Sequence, residues 1–171
     1  VTGPAIVFKA EDKIRKELSW KELKTQVASL ANFMKKIGII KGDRVAAYMP
    51  NMPETVIMML ATSSIGAIFS SASPDFGVEG VLDRFGQIEP KILLTTDGYW
   101  YNGKEINITK KVIEVVESLP SLQKIIIAPL LGIETGYNND KFVKYNDIQN
   151  QYKTNEILFE SLSLSDPLYI M

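Results

Sequence analysis

The feature that most limits what this chain can fold into is an alternation of two hydrophobic periods. Short apolar stretches such as Val45-Ala46-Ala47-Tyr48, Ile92-Leu93-Leu94-Thr95 and Ile125-Ile126-Ile127-Ala128 take turns with longer ones whose apolar residues recur every three to four positions. Leu23, Val27, Leu30, Ala31, Met34 and Ile37 form the first such helical stripe; Val78, Val81, Leu82, Phe85 and Ile88, and then Val112, Ile113, Val116 and Leu119, form others. Between them, Pro53-Glu54 opens a helix that runs to about Ile65. Strands alternating with helices mean successive βαβ units. The expectation is an α/β fold: a mostly parallel sheet with helices on both faces and right-handed crossovers.

Local signals sharpen this. Ser19-Trp20-Lys21-Glu22 is a capping box, with Leu18 and Leu23 where a hydrophobic staple would sit. Gly38 suits a left-handed helix stop, Gly66 ends the second helix and Pro90 the third. Residues 7–9 and 16–18 suit a short hairpin around Glu11-Asp12-Lys13. Residues 67–71 read as a strand, 97–105 as a loop, 136–140 as polar loop, 145–152 as a short helix and 168–171 as a final strand.

Composition removes several function classes. The chain has 171 residues, 46% apolar and 23% charged, with a net charge of −1. That balance favours neither nucleic acid nor an anionic membrane, both of which need a basic surplus. Neither cysteine nor histidine occurs, which removes disulfides, Cys/His zinc sites, thiol nucleophiles and imidazole bases. The longest apolar runs are too short to span a bilayer. Val1-Thr2-Gly3-Pro4 has no signal-peptide layout, so a cytoplasmic protein is expected, its sequence beginning within a longer one. Asn107-Ile108-Thr109 fits a glycosylation acceptor and is read as chance.

Parallel α/β sheets bind ligands at the carboxyl ends of their strands, which directs attention to residues 50–53, 70–77 and 97–105. No G-x-G-x-x-G follows the first strand. Gly98-x-x-x-x-Gly103-Lys104-Glu105 approaches a P-loop, but Glu105 stands where a magnesium-binding hydroxyl belongs, and Tyr99, Trp100 and Tyr101 are too bulky to wrap a phosphate. Lys104 is either a simple phosphate contact, with Tyr101 or Trp100 stacking on a base, or a solvated lysine beside aromatics that pack on the sheet. Ser73, Pro74, Asp75 and Phe76 lie between a strand and a helix. They are either an anion-binding turn or ordinary turn and cap residues. Asp83 and Arg84 suit a salt bridge or a solvated face.

The ordered motifs carry a resemblance. Leu18-Ser19-Trp20-Lys21-Glu22-Leu23, then Gly38 to Val45, Tyr48-Met49-Pro50-Asn51-Met52-Pro53-Glu54 and Met59 to Ala67 resemble the core motifs of the acyl-CoA synthetase family of adenylate-forming enzymes. The run from Ser70 to Lys91, supported by Tyr101-Asn102-Gly103-Lys104-Glu105, resembles the acetoacetate-activating branch. Asp166-Pro167-Leu168-Tyr169-Ile170-Met171 resembles the lead-in to the family's phosphate loop. The resemblance implies a ligase that joins acetoacetate to CoA through an acyl-adenylate, using ATP and Mg²⁺.

Residues 1–171 would then be a partial adenylation domain, the N-terminal α/β subdomain of the adenylate-forming ligase fold. The phosphate loop and C-terminal domain would lie outside it. The fragment alone would be inactive, hold no nucleotide tightly, supply no catalytic or metal-binding residue, and be prone to non-native self-association. By family correspondence, Ser73, Pro74, Asp75 and Phe76 would line the pantetheine channel of CoA, and Lys104 would meet its nucleotide phosphates. A ligase for another short acyl acid, or a non-catalytic α/β binding domain, are the alternatives.

Overall fold

A computed structural model describes residues 2–137 and 139–171; Asn138, in the expected polar loop, and Val1 lie outside the described residues. The chain opens with an antiparallel hairpin of β1 (Ile6–Ala10) and β2 (Ile14–Leu18). Glu11 turns it with a positive φ of 49°. Helix α1 (Trp20–Lys36) follows, and its capping box forms as the sequence implies. The Glu22 amide donates to Ser19 Oγ at 3.2 Å, and the Ser19 amide donates to the Glu22 carboxylate at 2.8 Å. The helix ends where Gly38 takes φ 87°: the Gly38 and Ile39 amides turn back to the Lys35 and Met34 carbonyls.

The body is a sheet of β3 (Arg44–Tyr48), β4 (Ile68–Ala72), β5 (Ile92–Thr95), β8 (Lys124–Ile127), β9 (Phe142–Lys144) and β10 (Tyr169–Ile170). All neighbours pair parallel, in the order β10-β4-β3-β5-β8-β9. Helices α2 (Pro53–Ser64), α3 (Val78–Ile88), α4 (Thr109–Ser118) and α5 (Tyr145–Gln151) complete the layers.

Alternation along the strands divides the core in two. Val45, Ala47, Ile92, Leu94 and Ile126 meet Leu30, Met34, Ile57 and Ala61 of α1 and α2 on one face. Ala46, Tyr48, Leu93, Ile125 and Ile127 meet Val81, Phe85, Val112 and Val115 of α3 and α4 on the other. From β3 the chain passes through α2 to β4 on one side, then back through α3 to β5 on the other. A sheet that grows in both directions with a constant crossover hand must place those helices on opposite faces. The reversal at β3 and β5 is the switch point at which such sheets open a crevice.

Three details differ from the sequence reading. Residues 97–105 are not a loop: β6 (Gly98–Tyr101) and β7 (Lys104–Asn107) form an antiparallel hairpin. Asn102 and Gly103 turn it with φ 49° and 73°, the paired left-handed conformations that Asn-Gly favours. Helix α3 stops at Glu89, which takes the left-handed cap itself (φ 47°) ahead of Pro90. Strand β9 had no apolar signature of its own; it is a short, half-buried edge strand that borrows its order from β8. No helix among the described residues is long and apolar enough to cross a membrane.

Candidate active-site cavity

At the carboxyl ends of β4, β3 and β5 lies a cavity of about 280 Å³. Met49, Pro50 and Asn51 line it after β3, Ser71 to Asp75 after β4, and Tyr99 and Tyr101 from the hairpin. It sits at the switch point, and its walls come from the three segments that strand polarity singles out. A larger recess of about 610 Å³ opens beside β9, between residues 127–137 and 142–146. No crossover reverses there, so the smaller cavity is the candidate site.

Each wall has its own support. Tyr48, the last residue of β3, is fully buried among α3 and α4 residues. Its hydroxyl donates to the Phe76 carbonyl at 2.7 Å and lies 3.2 Å from the Pro74 carbonyl. Burial, with the nearby Asp75 charge, pushes the phenol up to about 12, so it stays a donor. Ser73 Oγ accepts the Asp75 amide at 3.3 Å and donates to Asp75 Oδ2 at 2.9 Å. The Phe76 amide donates to the Ser73 carbonyl at 3.1 Å, so residues 73–76 form a closed turn. Lys111 of α4 reaches the Pro74 carbonyl at 3.5 Å. Arg84 does not pair with Asp83; its guanidinium stacks 4.2 Å above the Phe76 ring.

The hairpin forms the opposite wall. Gly98 runs so close to its surroundings that a Cβ would fall 2.5 Å from the Ile106 carbonyl and from Leu131 Cδ1. This glycine and Gly103 serve a hairpin, which removes the P-loop alternative on geometry. Tyr99 and Tyr101 share the cavity-facing side, two residues apart, while Trp100 points the other way. Lys104 pairs with Tyr101 across the ladder and so lies on the same side. It is exposed and forms no ion pair or hydrogen bond among the described residues. At the tip, the Gly103 amide donates to Glu11 of the first hairpin at 3.0 Å.

One contact joins the two walls: Tyr99 donates to Asp75 Oδ1 at 2.6 Å. This hydrogen bond, then that from Ser73, holds the Asp75 carboxyl below its ordinary range. Burial, followed by the bond to Asp75, raises the Tyr99 phenol.

Ser73, Pro74 and Asp75 therefore meet in one cavity wall. Phe76 closes the turn behind them, 40% exposed and covered by Arg84, and Lys104 stands at the rim. Sequence reasoning missed Tyr48 and Tyr99. The signal was available: a phenol ending a buried Val-Ala-Ala strand must find a partner for its hydroxyl. It also missed Asp97, which is fully buried beyond β5. Asp97 accepts the amides of Leu130 (2.7 Å), Leu131 (3.1 Å) and Ile133 (2.7 Å). Burial alone would raise this carboxyl; the three amides outweigh it and hold the group low. Asn107 and Thr109, the glycosylation-like pair, close a turn at the entrance to α4 instead: Asn107 Oδ1 accepts both the amide (2.9 Å) and the hydroxyl (2.7 Å) of Thr109.

Residues 3–171 match the family described as AMP-binding enzyme. The chain belongs to that family. Among its AMP-binding relatives, an acetoacetyl-coenzyme A synthetase of Rhizobium meliloti (strain 1021) is 45% identical over 172 residues, covering 99% of this chain and 26% of the relative. An acetoacetyl-CoA synthetase of Xenopus tropicalis is 43% identical, over 91% of this chain and 24% of the relative. The solved acetoacetyl-CoA synthetase from Streptomyces lividans superposes with a TM-score of 0.90 at 38% identity, over 97% of this chain and 25% of that one. The chain thus spans about a quarter of the length of the relatives it matches.

The AMP-binding fold poses a question of fit. Among the described residues no group of three or more His, Cys, Asp or Glu could hold a metal ion. The single charged side chain lining the cavity is Asp75, already engaged by two hydroxyls. These residues do not suit the magnesium–triphosphate end of ATP. They do suit an uncharged polar chain, with Asn51 and Tyr101 offering hydrogen bonds along the wall.

Proposed function

We propose that this chain is part of an ATP-dependent acid–thiol ligase that converts acetoacetate to acetoacetyl-CoA. The observation that carries the reading is the 45% identity to an acetoacetyl-coenzyme A synthetase along nearly the whole chain, with the cavity formed by the very segments the motifs occupy. In the reaction, a carboxylate oxygen attacks the α-phosphorus of ATP and pyrophosphate leaves. The CoA sulfur then attacks the acyl carbon, AMP leaves, and the thiol proton passes to solvent. Mg²⁺ would offset phosphate charge in the first step; no residue of this chain is assigned to it or to the triphosphate.

This chain's own task is the second substrate. Ser73, Pro74 and Asp75 would line the path of the pantetheine arm, with Phe76 bracing their turn from behind. Lys104, on the cavity side of the hairpin tip, would meet the nucleotide phosphates of CoA. A single ammonium on a turn makes this a less basic contact than a cluster would. Residues 1–171 would be the N-terminal α/β subdomain of an adenylation domain, in a cytoplasmic enzyme whose phosphate loop and C-terminal domain lie in the rest of the protein.

The test is to assay the full-length ligase with acetoacetate, acetate and other short acids. Acetoacetyl-CoA formation well above the others is expected; preference for another acid would reassign the substrate. The 171-residue chain alone should form no acetoacetyl-adenylate. Alone it should also self-associate, because Leu158, Phe159, Leu164 and Leu168 are exposed. A monomer by sedimentation would count against that.

A further inference from the structure

The β6–β7 hairpin leans on the α3–α4 half of the core through the partly buried Tyr99 and Ile106. It is a separate two-stranded sheet, a unit of marginal stability in isolation. It is held at its base by that packing and by the close passage of Gly98 against Leu131, and at its tip by Glu11. Between these points, Tyr99 to Asp75 is the only side-chain hydrogen bond, among the described residues, that ties the hairpin to the 73–76 turn across the cavity.

That turn is rigid for separate reasons. Tyr48 anchors its carbonyls from the core, and Ser73 closes it. With the hairpin packed on the core through Tyr99 and Ile106, the phenol–carboxylate contact is the directional tie between the Ser73–Pro74 wall and the Tyr101–Lys104 wall. Such charge-assisted bonds are short and strong, and their geometry is narrow.

We infer that Tyr99 is a positioning residue: acting through Asp75, it fixes the hairpin so that Tyr101 and Lys104 stand at the right distance to receive CoA, while taking no part in adenylate formation. The inference rests on the ligase reading and goes beyond it, since Tyr99 itself need not touch CoA. Loss of the contact would leave both walls folded but their spacing loose. The consequence would fall on the affinity for CoA and spare the acid and ATP.

The experiment uses the full-length ligase and two readouts. Tyr99→Phe removes only the hydroxyl. The KM for CoA should rise about fivefold, the size of one partly exposed charge-assisted hydrogen bond. Acetoacetate-dependent ATP–pyrophosphate exchange, which proceeds without CoA, should stay within about twofold of wild type. Asp75→Ala should raise the same KM at least as much, and adding Tyr99→Phe to it should change nothing further. Asp75→Asn, which keeps an acceptor oxygen for Tyr99, should recover most of the loss.

An unchanged KM for CoA in Tyr99→Phe, with the wild-type ligase fully active, overturns the positioning role and leaves the ligase reading intact. An equal fall in exchange and in the CoA step also overturns it, because Tyr99 would then be a general structural prop. If the wild-type enzyme neither exchanges pyrophosphate nor forms a CoA thioester, the ligase reading itself fails and takes this inference with it.

Discussion

The sheet core and the cavity rim are built by different physics. Around β3 and β5 nearly every side chain is apolar and sealed from solvent: Val45, Ala47, Leu93 and Leu94 are all 0% exposed. Order there comes from burial and close packing, terms that are large, additive over area and indifferent to exact direction. A few residues further along the same strands, order comes from single hydroxyls and carboxylates: Tyr48 on the 73–76 carbonyls, Ser73 and Tyr99 on Asp75, Glu11 on Gly103. Each such contact is worth little, but it is directional. A fold can therefore keep its core and still re-aim its rim.

That contrast can be broken by experiment, beginning with the core. Leu94→Ala, at a fully buried site in the α1–α2 face, should cost about 3 kcal/mol in chemical denaturation; a cost under about 1 kcal/mol would mean the core is looser than its burial implies.

Asp97 tests the boundary, being buried like the core but directional like the rim. Asp97→Ala strands the Leu130, Leu131 and Ile133 amides and should destabilise by roughly 2–3 kcal/mol. Because its folded pKa lies below the ordinary value, its contribution is complete above about pH 4 and lost as pH falls through the folded pKa. Wild type should thus lose stability in that acid window, and Asp97→Asn should flatten part of the loss. Gly98→Ala comes next, at about 2 kcal/mol, since a Cβ 2.5 Å from a backbone carbonyl forces the hairpin base apart. A neutral result would revive a looser loop for residues 98–105.

Tyr48→Phe keeps the ring in the core and removes only the rim contact. It should cost about 1 kcal/mol; a cost matching that of Leu94→Ala would erase the distinction between the two regions. Lys104→Ala should leave stability within about 0.5 kcal/mol of wild type, because the side chain is exposed and unpaired. Any effect should surface as weaker CoA binding by the full-length ligase, measured by titration calorimetry.

Most of the sheet was readable because burial leaves a periodic trace in sequence. Val45-Ala46-Ala47-Tyr48, Ile92-Leu93-Leu94-Thr95 and the α1 stripe each became the element their period implied, and Ser19-Glu22 and Gly38 bounded α1 as their chemistry requires. The hairpin at Gly98–Asn107 was missed despite Asn102-Gly103, because the aromatic run before it also reads as a functional loop and because its strands pair only with each other. Strand β9 was missed because an edge strand of three residues, two half-buried and one exposed, carries almost no pattern.

The sequence by itself determined the class of fold and the limits of α1, since these follow from spacing and cap chemistry along the chain, and its ordered motifs carried the resemblance to the family. Only the tertiary structure decided that Tyr48 supports the 73–76 turn, that Tyr99 and Asp75 meet across a cavity, and that Asp97 holds residues 130–133. Those contacts join residues 24 to 36 positions apart. Hydrogen bonds across such distances leave no periodic trace in a sequence; they exist only where the packed sheet brings its strand ends together.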